Sequence, residues 1–223
     1  GRPWPPFLSM KSSVDSIRPL SPAQKDFLGG YLMDGNRQAY TSQWIGFYGE
    51  PIDPKAFDAA WKSLVQRHGI LRTAFDWENA ARPIQVELSK TEVHVPLHKL
   101  GQSLELESFI NEVKQLACIR FEKGFDIKRP PLMDFEIVYS GKLSAIIWSR
   151  HHLITDGWSL SQLYGEIFTE YSNTSFKTEV ANTYADYINA LMPLIDKPND
   201  TEYWRKYLKE NCQETYITQK LTA

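Results

Sequence analysis

The sequence predicts an α/β (α+β) sandwich, helices packed on a mixed, largely antiparallel sheet, and three observations carry that expectation. The clearest is a hairpin pattern. Met133, Phe135, Ile137 and Tyr139 alternate with Asp134 and Glu136, Ser140-Gly141 offers a turn, and Leu143 to Trp148 returns as an almost unbroken apolar run. Alternation suits a strand with two unlike faces, and a continuous apolar run suits a strand buried on both. Next, apolar residues recur at helical steps in Ala56, Phe57, Ala60, Trp61, Leu64 and Val65, and again in Leu106, Phe109, Ile110, Val113, Leu116 and Ala117. Finally, no repeat at solenoid periods and no low-complexity stretch interrupts the 223 residues, enough chain to bury a substantial core.

The other elements follow in order. Ser21-Pro22 starts a helix, with serine as N-cap and proline in the first turn, and that helix stops near Gly29-Gly30 or Asp34-Gly35. Trp44 to Tyr48 reads as a strand, and Asp53-Pro54 opens the helix whose stripe runs from Ala56 to Val65. Ile70 to Phe75 reads as a strand entered from a turn at His68-Gly69; Pro83 to Leu88 and Val93 to Pro96 are shorter candidates. Beyond the hairpin, Leu160, Leu163, Tyr164, Ile167, Phe168 and Tyr171 mark another amphipathic helix. Two more are expected near Tyr184 to Leu194 and Thr201 to Leu208, the latter capped by Asp200. Gly1 to Ser16 reads as a linker end or a remnant of cloning.

Composition excludes some functions. With 25 basic and 27 acidic residues, a net charge of -2 and no long run of either sign, the chain has no basic footprint for nucleic acid. Its apolar runs are too short to span a bilayer, so no membrane role is expected. The start lacks the layout of a secretory signal. Cys118 and Cys212 are the only cysteines and form no CxxC pair. Sparse cysteine reads as a cytoplasmic protein.

The candidate chemistry lies where the buried strand ends, in His151-His152-Leu153-Ile154-Thr155-Asp156-Gly157. Neighbouring residues on an extended strand point to opposite faces, so one histidine should face a cleft and the other the interior. Imidazole, with an unperturbed pKa near ~6.5, accepts a proton at neutral pH. Gly157 removes a Cβ where backbone lies close to a turn or a ligand. Blander readings stand beside these. Either histidine also reads as a hydrogen-bonded core residue, and Asp156 as an N-cap for the helix beginning at Trp158. Adjacent histidines project apart and no His-x3-His spacing accompanies them, so no metal site is expected. Ser159 lacks the second glycine of a nucleophile elbow, and no phosphate-cradling glycine loop is present.

The string from His151 to Ser159 resembles the HHxxxDG(WS) signature of nonribosomal peptide synthetase condensation domains, relatives of chloramphenicol acetyltransferase. Further matches occur in that family's order. Ser21-x-Ala23-Gln24 is similar to its SxAQ motif, Arg67 to Phe75 to RHExLRTxF, Tyr184 to Tyr187 to YxDYA, and Tyr203-Trp204 to the following YW. Departures are Gly69 for a glutamate, and Asp26 and Leu28 for Arg and Trp.

The resemblance implies a chloramphenicol-acetyltransferase-like lobe. Residues 17–223 would form the N-terminal lobe of a condensation domain whose C-terminal lobe is absent, and exposed apolar surface would then favour self-association. It implies amide formation between an acyl or peptidyl thioester and an aminoacyl acceptor, each carried on phosphopantetheine by upstream and downstream peptidyl carrier proteins. No cofactor would be bound by the chain itself. Of the catalytic candidates His151, His152 and Gly157, His152 is expected to act as base or as a positioning group for the amine, and Gly157 to leave room for the thioester. Asp156 is expected to pair with Arg67 or Arg72 and fix the loop, while Trp158 and Ser159 line the substrate tunnel. Two alternatives belong to other classes: an isolated lobe that docks carrier proteins without catalysis, and a self-sufficient trimeric acyltransferase.

Overall fold

The computed structural model describes residues 14–101, 103–172, 183–195 and 198–211. Seven strands and six helices follow in the order β1 (Val14–Pro19), α1 (Pro22–Asp34), β2 (Thr41–Tyr48), α2 (Pro54–Arg67), β3 (Thr73–Asp76), β4 (Ile84–Leu88), β5 (Leu97–Lys99), α3 (Leu106–Lys123), β6 (Met133–Ser140), β7 (Leu143–His151), α4 (Gly157–Ser172), α5 (Tyr184–Ile195) and α6 (Pro198–Asn211). The chain divides into two units, Gly1–Ile188 with both sheets and Asn189–Ala223 with the end of α5 and all of α6.

The strands form two sheets rather than one. A four-stranded sheet runs β2-β7-β6-β5, and a three-stranded one runs β1-β4-β3. All pairings are antiparallel except β5 with β6, so the mixed, largely antiparallel character holds. On one face of the larger sheet, Phe135, Ile137, Ile146 and Trp148 pack with Phe57, Trp61 and Leu64 of α2 and Leu163 and Ile167 of α4. On the other, Val138, Ala145 and Ile147 meet Phe109, Val113 and Ala117 of α3. Strand β7 is thus covered on both sides, as its apolar run requires. Phe135 sits at the centre, its ring 5.3 Å from that of Phe57, 5.0 Å from Trp61 and 5.2 Å from Trp148.

The starts of α1 and α2 obey the sequence signals. Ser21 and Gln24 form a reciprocal cap on α1, Ser21 N–H donating to Gln24 Oε1 at 2.9 Å and Gln24 N–H to Ser21 Oγ at 3.2 Å. The helix runs through Gly29-Gly30 and ends at Gly35, whose φ of 65° closes the last turn. Asp53 caps α2 through the N–H groups of Lys55 and Ala56.

Four expectations need correction. Val14 to Ser16, read as linker, belong to β1 and pair with β4; residues 1–13 lie outside the described residues. Gly69 to Arg72 form a 3-10 turn, leaving only Thr73–Asp76 as strand. The turn closes because Leu71 N–H reaches the His68 carbonyl at 3.0 Å and Arg72 folds back onto the Val65 and Gln66 carbonyls that end α2. Val93 to Pro96 form no strand: Val95 N–H is taken by Asp58 Oδ1 at 3.0 Å, Pro96 has no N–H to give, and pairing begins at Leu97. Asp200 lies inside α6 instead of capping it, because Pro198 already starts the helix.

Because Phe135 is buried against three aromatic rings, Phe135→Ala should destabilise the chain by about 3–5 kcal/mol, read as a lowered urea midpoint.

Candidate active site

The site is a tight turn fastened between two elements. At the end of β7, His151 N–H donates to the Leu132 carbonyl and His152 N–H to the Tyr40 carbonyl, both at 2.9 Å. The backbone then reverses, with Ile154 N–H reaching the His151 carbonyl at 3.3 Å and Thr155 Oγ1 meeting the same oxygen. Leu153 and Ile154 sink into the main core and hold the turn down. Gln24 of α1, only 3% exposed, donates from Nε2 to the Leu153 carbonyl at 3.1 Å and shares a second amide contact with Gln85. Gln85 in turn donates to the Pro19 carbonyl at 2.9 Å, so the turn is tied to both sheets.

The two imidazoles part as strand geometry requires. His151 is 0% exposed, ringed by Tyr31, Tyr40 and Phe125. Its Nδ1 accepts from Leu153 N–H at 3.0 Å, which puts the proton of the neutral ring on Nε2. Burial pushes its pKa down to about 4, His152 beside it adds to the fall, and the Ala39 carbonyl opposes only part of it. Nε2 has no well-aligned hydrogen-bond partner among the described residues. His151 is therefore neutral, sealed and out of a substrate's reach, and catalytic candidacy passes to its neighbour. His152 is half-buried. Its ring stacks on Phe27 with centroids 5.7 Å apart and planes 20° from parallel.

Phe27 and Tyr40 form a wall that sequence reasoning missed. Their rings meet edge to face at 5.1 Å. Tyr40 has a φ of 60°, rare for a residue with a side chain, and from there its carbonyl reaches His152. Gly30 makes the arrangement fit, because a Cβ there would lie 1.9 Å from the Tyr40 hydroxyl oxygen. The glycine that looked like a helix stop is a seat for a ring. The SxAQ glutamine was legible as a cap; its grip on Leu153 was not.

Asp156 corrects another expectation. It touches neither arginine: its Oδ1 accepts from Ser159 N–H at 2.8 Å, and Ser159 Oγ accepts from Asp156 N–H at 2.8 Å. This is a helix cap on α4, and the Ser159 N–H and hydroxyl hold the carboxyl below the usual carboxylate range. Arg67 is occupied by Glu166 at 3.1 Å and Glu170 at 2.6 Å, both on α4, and His68 Nε2 also meets Glu166 at 2.8 Å. Arg72 is held by the Val65, Gln66 and Leu88 carbonyls and by Glu87. So Arg67 steadies the site from further along α4, and Arg72 serves the other sheet.

Ser159, expected in the tunnel, spends its hydroxyl on the cap. Trp158 stands 83% exposed beside it. Gly157 begins α4 in the open, with nothing within 4 Å of a Cβ placed there, so no packing of the described chain demands its glycine. A small hollow, bounded by Arg18, Ile70, Gln85, Glu87 and Tyr184, includes neither histidine. Among the described residues no cluster of three His, Cys, Asp or Glu side chains could hold a metal ion, and no helix is long and apolar enough to cross a membrane.

The Condensation domain family matches residues 14–222. The chain belongs to that family. A plipastatin synthase protein of Bacillus subtilis (strain 168) is 31% identical to it over 217 residues, covering 94% of this chain and 6% of that protein. Bacitracin synthase 3 of Bacillus licheniformis is 27% identical, over 94% of this chain and 3% of that protein. The chain thus spans a small fraction of these relatives. Among solved structures, the condensation domain from Monacolin K polyketide synthase MokA superposes with a TM-score of 0.75 at 17% identity, over 92% of this chain and 45% of that one. The cyclization-docking bidomain of EpoB from Sorangium cellulosum gives 0.72 at 18% identity, over 87% and 39%. These likenesses fix the condensation-domain fold, which is chloramphenicol-acetyltransferase-like.

Two expectations follow for this condensation domain. Asp156→Ala removes one cap and should cost about 1 kcal/mol in urea unfolding, not the ~3–5 kcal/mol of a broken buried ion pair. For His151, the folded chain binds fewer protons than the unfolded one, so stability is full above pH 6.5 and declines as pH falls towards 4. The total is about 3 kcal/mol. Urea midpoints between pH 7 and 4 should show that decline in the parent chain and a flatter one in His151→Asn.

Proposed function

We propose that this chain is the N-terminal, histidine-bearing lobe of a condensation domain that joins two carrier-bound substrates through an amide bond. One observation carries the reading. His152 presents a half-buried imidazole at the end of a rigid strand, its backbone pinned to Tyr40, its plane held by Phe27, and its ring nitrogens without hydrogen-bond partners among the described residues. An imidazole so oriented meets the positional requirement of general-base catalysis. Coverage of 39–45% of the two solved chains supports the assignment to one lobe of a two-lobed domain.

In this reading a donor acyl or peptidyl thioester and an aminoacyl acceptor arrive on the phosphopantetheine arms of an upstream and a downstream peptidyl carrier protein. These arms are substrate, and the chain binds no cofactor of its own. The acceptor's neutral α-amine attacks the thioester carbonyl. The C–N bond forms, the C–S bond breaks, His152 takes the proton lost by nitrogen, and the departing thiolate recovers it as thiol. An α-amine pKa of about 7.7–8.0 leaves a substantial neutral fraction at cellular pH, so one weak base suffices. His151 contributes indirectly, because its Nδ1 holds the Leu153 N–H and so shapes the turn that carries His152. Gly157 lies open at the start of α4, where a pantetheine arm could pass without meeting a side chain. A companion C-terminal lobe would cover the exposed Trp158, and a cytoplasmic setting suits work on carrier proteins.

The test uses the intact synthetase with both carrier domains loaded. His152→Ala should lower single-turnover condensation about 100-fold or more while leaving the melting temperature within a degree or so. Condensation within a few-fold of the parent rate would overturn the reading.

A further inference from the structure

One arginine beside the site has no answering charge among the described residues. The other arginines withdrawn from solvent each hold a carboxylate: Arg67 binds Glu166 and Glu170, Arg72 binds Glu87, and Arg120 grips Asp134. Arg150, immediately before the histidine pair on β7, holds none among the described residues. Its Nε and Nη1 are buried without partners, and burial lowers its pKa. A cation withdrawn from water without a partner is costly, and folded proteins seldom leave one so.

Its neighbours have spare hydrogen-bonding atoms as well. Trp148 and Arg150 share the face of β7 turned towards α4, and Ser42 stands opposite Arg150 on the adjoining strand β2. The guanidinium lies over the Trp148 ring, 5.1 Å from its centroid. Trp148 Nε1 and Ser42 Oγ are both buried and both without partners. Across β7's other neighbour, Met133 faces Arg150 and offers no polar group. Three N–H donors and one hydroxyl thus lie on one patch of sheet, with a single positive charge and, among the described residues, no paired acid. These four atoms are themselves buried, while Arg150 and Ser42 are partly exposed as residues, so a ligand reaches the patch from the exposed side of those two.

We propose that Arg150, Ser42 and the Trp148 indole bind the carboxylate of a small organic acid beside His152. One cation set among Trp148, Met133 and a hydroxyl matches one carboxylate in charge; a phosphate dianion would need further cations. Within the function proposed above, that carboxylate belongs to an acidic acyl or aminoacyl substrate, whereas carboxylate binding itself does not depend on that reading. Arg150 then selects substrates and takes no part in proton transfer.

Binding is measurable without turnover, so its failure and the failure of the condensation reading are separable. Equilibrium dialysis of the 223-residue chain against radiolabelled glutarate should show saturable binding, weakened by salt, with neutral glutaramide and inorganic phosphate as poor competitors. Arg150→Met should weaken glutarate about tenfold or more, and Arg150→Lys should recover part of it. Because the methionine variant removes an unpaired buried cation, it should melt at or above the parent temperature. Equal binding by parent and Arg150→Met, or no saturable binding by the parent, would sink the site. A lower melting temperature in Arg150→Met would overturn it too, by showing that the guanidinium already holds the fold together.

Discussion

The Leu153 peptide is gripped at both ends. Its N–H goes to His151 Nδ1 and its carbonyl to Gln24 Nε2. This pair of hydrogen bonds joins the end of β7 to the start of α1, and it sets the path by which the chain leaves the sheet and enters α4. It also fixes the tautomer of His151 and the direction in which His152 leaves the strand. Both bonds are buried, where each missing partner costs roughly 1–3 kcal/mol, so the turn has little freedom to slide. The free imidazole is presented by neighbours that are wholly committed.

Much of this was legible in the amino acids, for identifiable reasons. Strands β6 and β7 and helices α2, α3 and α4 announce themselves because each must bury one stripe or both faces, and burial leaves a period. Opposed orientation of the two histidines followed from strand geometry alone. Where sequence and structure part, a side chain has overruled a local preference. Ile70 to Arg72 look like a strand, yet the Arg72 guanidinium reaches back to the carbonyls at the end of α2 and curls the segment into a turn. Val93 to Pro96 have strand composition, but Pro96 has no N–H to donate to β6 and Asp58 holds the Val95 N–H on the other side.

Electrostatic pairing was the least legible layer. Asp156 and the two arginines stand at suggestive places in the sequence, but which charges meet is decided by helix phase. Glu166 and Glu170 lie four residues apart on one face of α4 and together meet Arg67, with His68 joining Glu166. That cluster clamps α2 to α4 and leaves Asp156 to the shorter-range task of capping. Phe27 and Tyr40 carried no signal, since their roles depend on contacts between segments distant in sequence.

Tyr40 and Gly30 have a consequence for anyone who would alter this protein. The ring of one occupies the space that a side chain at the other would need, and the same tyrosine's carbonyl carries His152. Positions 30 and 40 are therefore not independent variables: bulk gained at the first must be matched by bulk lost at the second. Libraries that diversify either position alone will displace the carbonyl that holds His152.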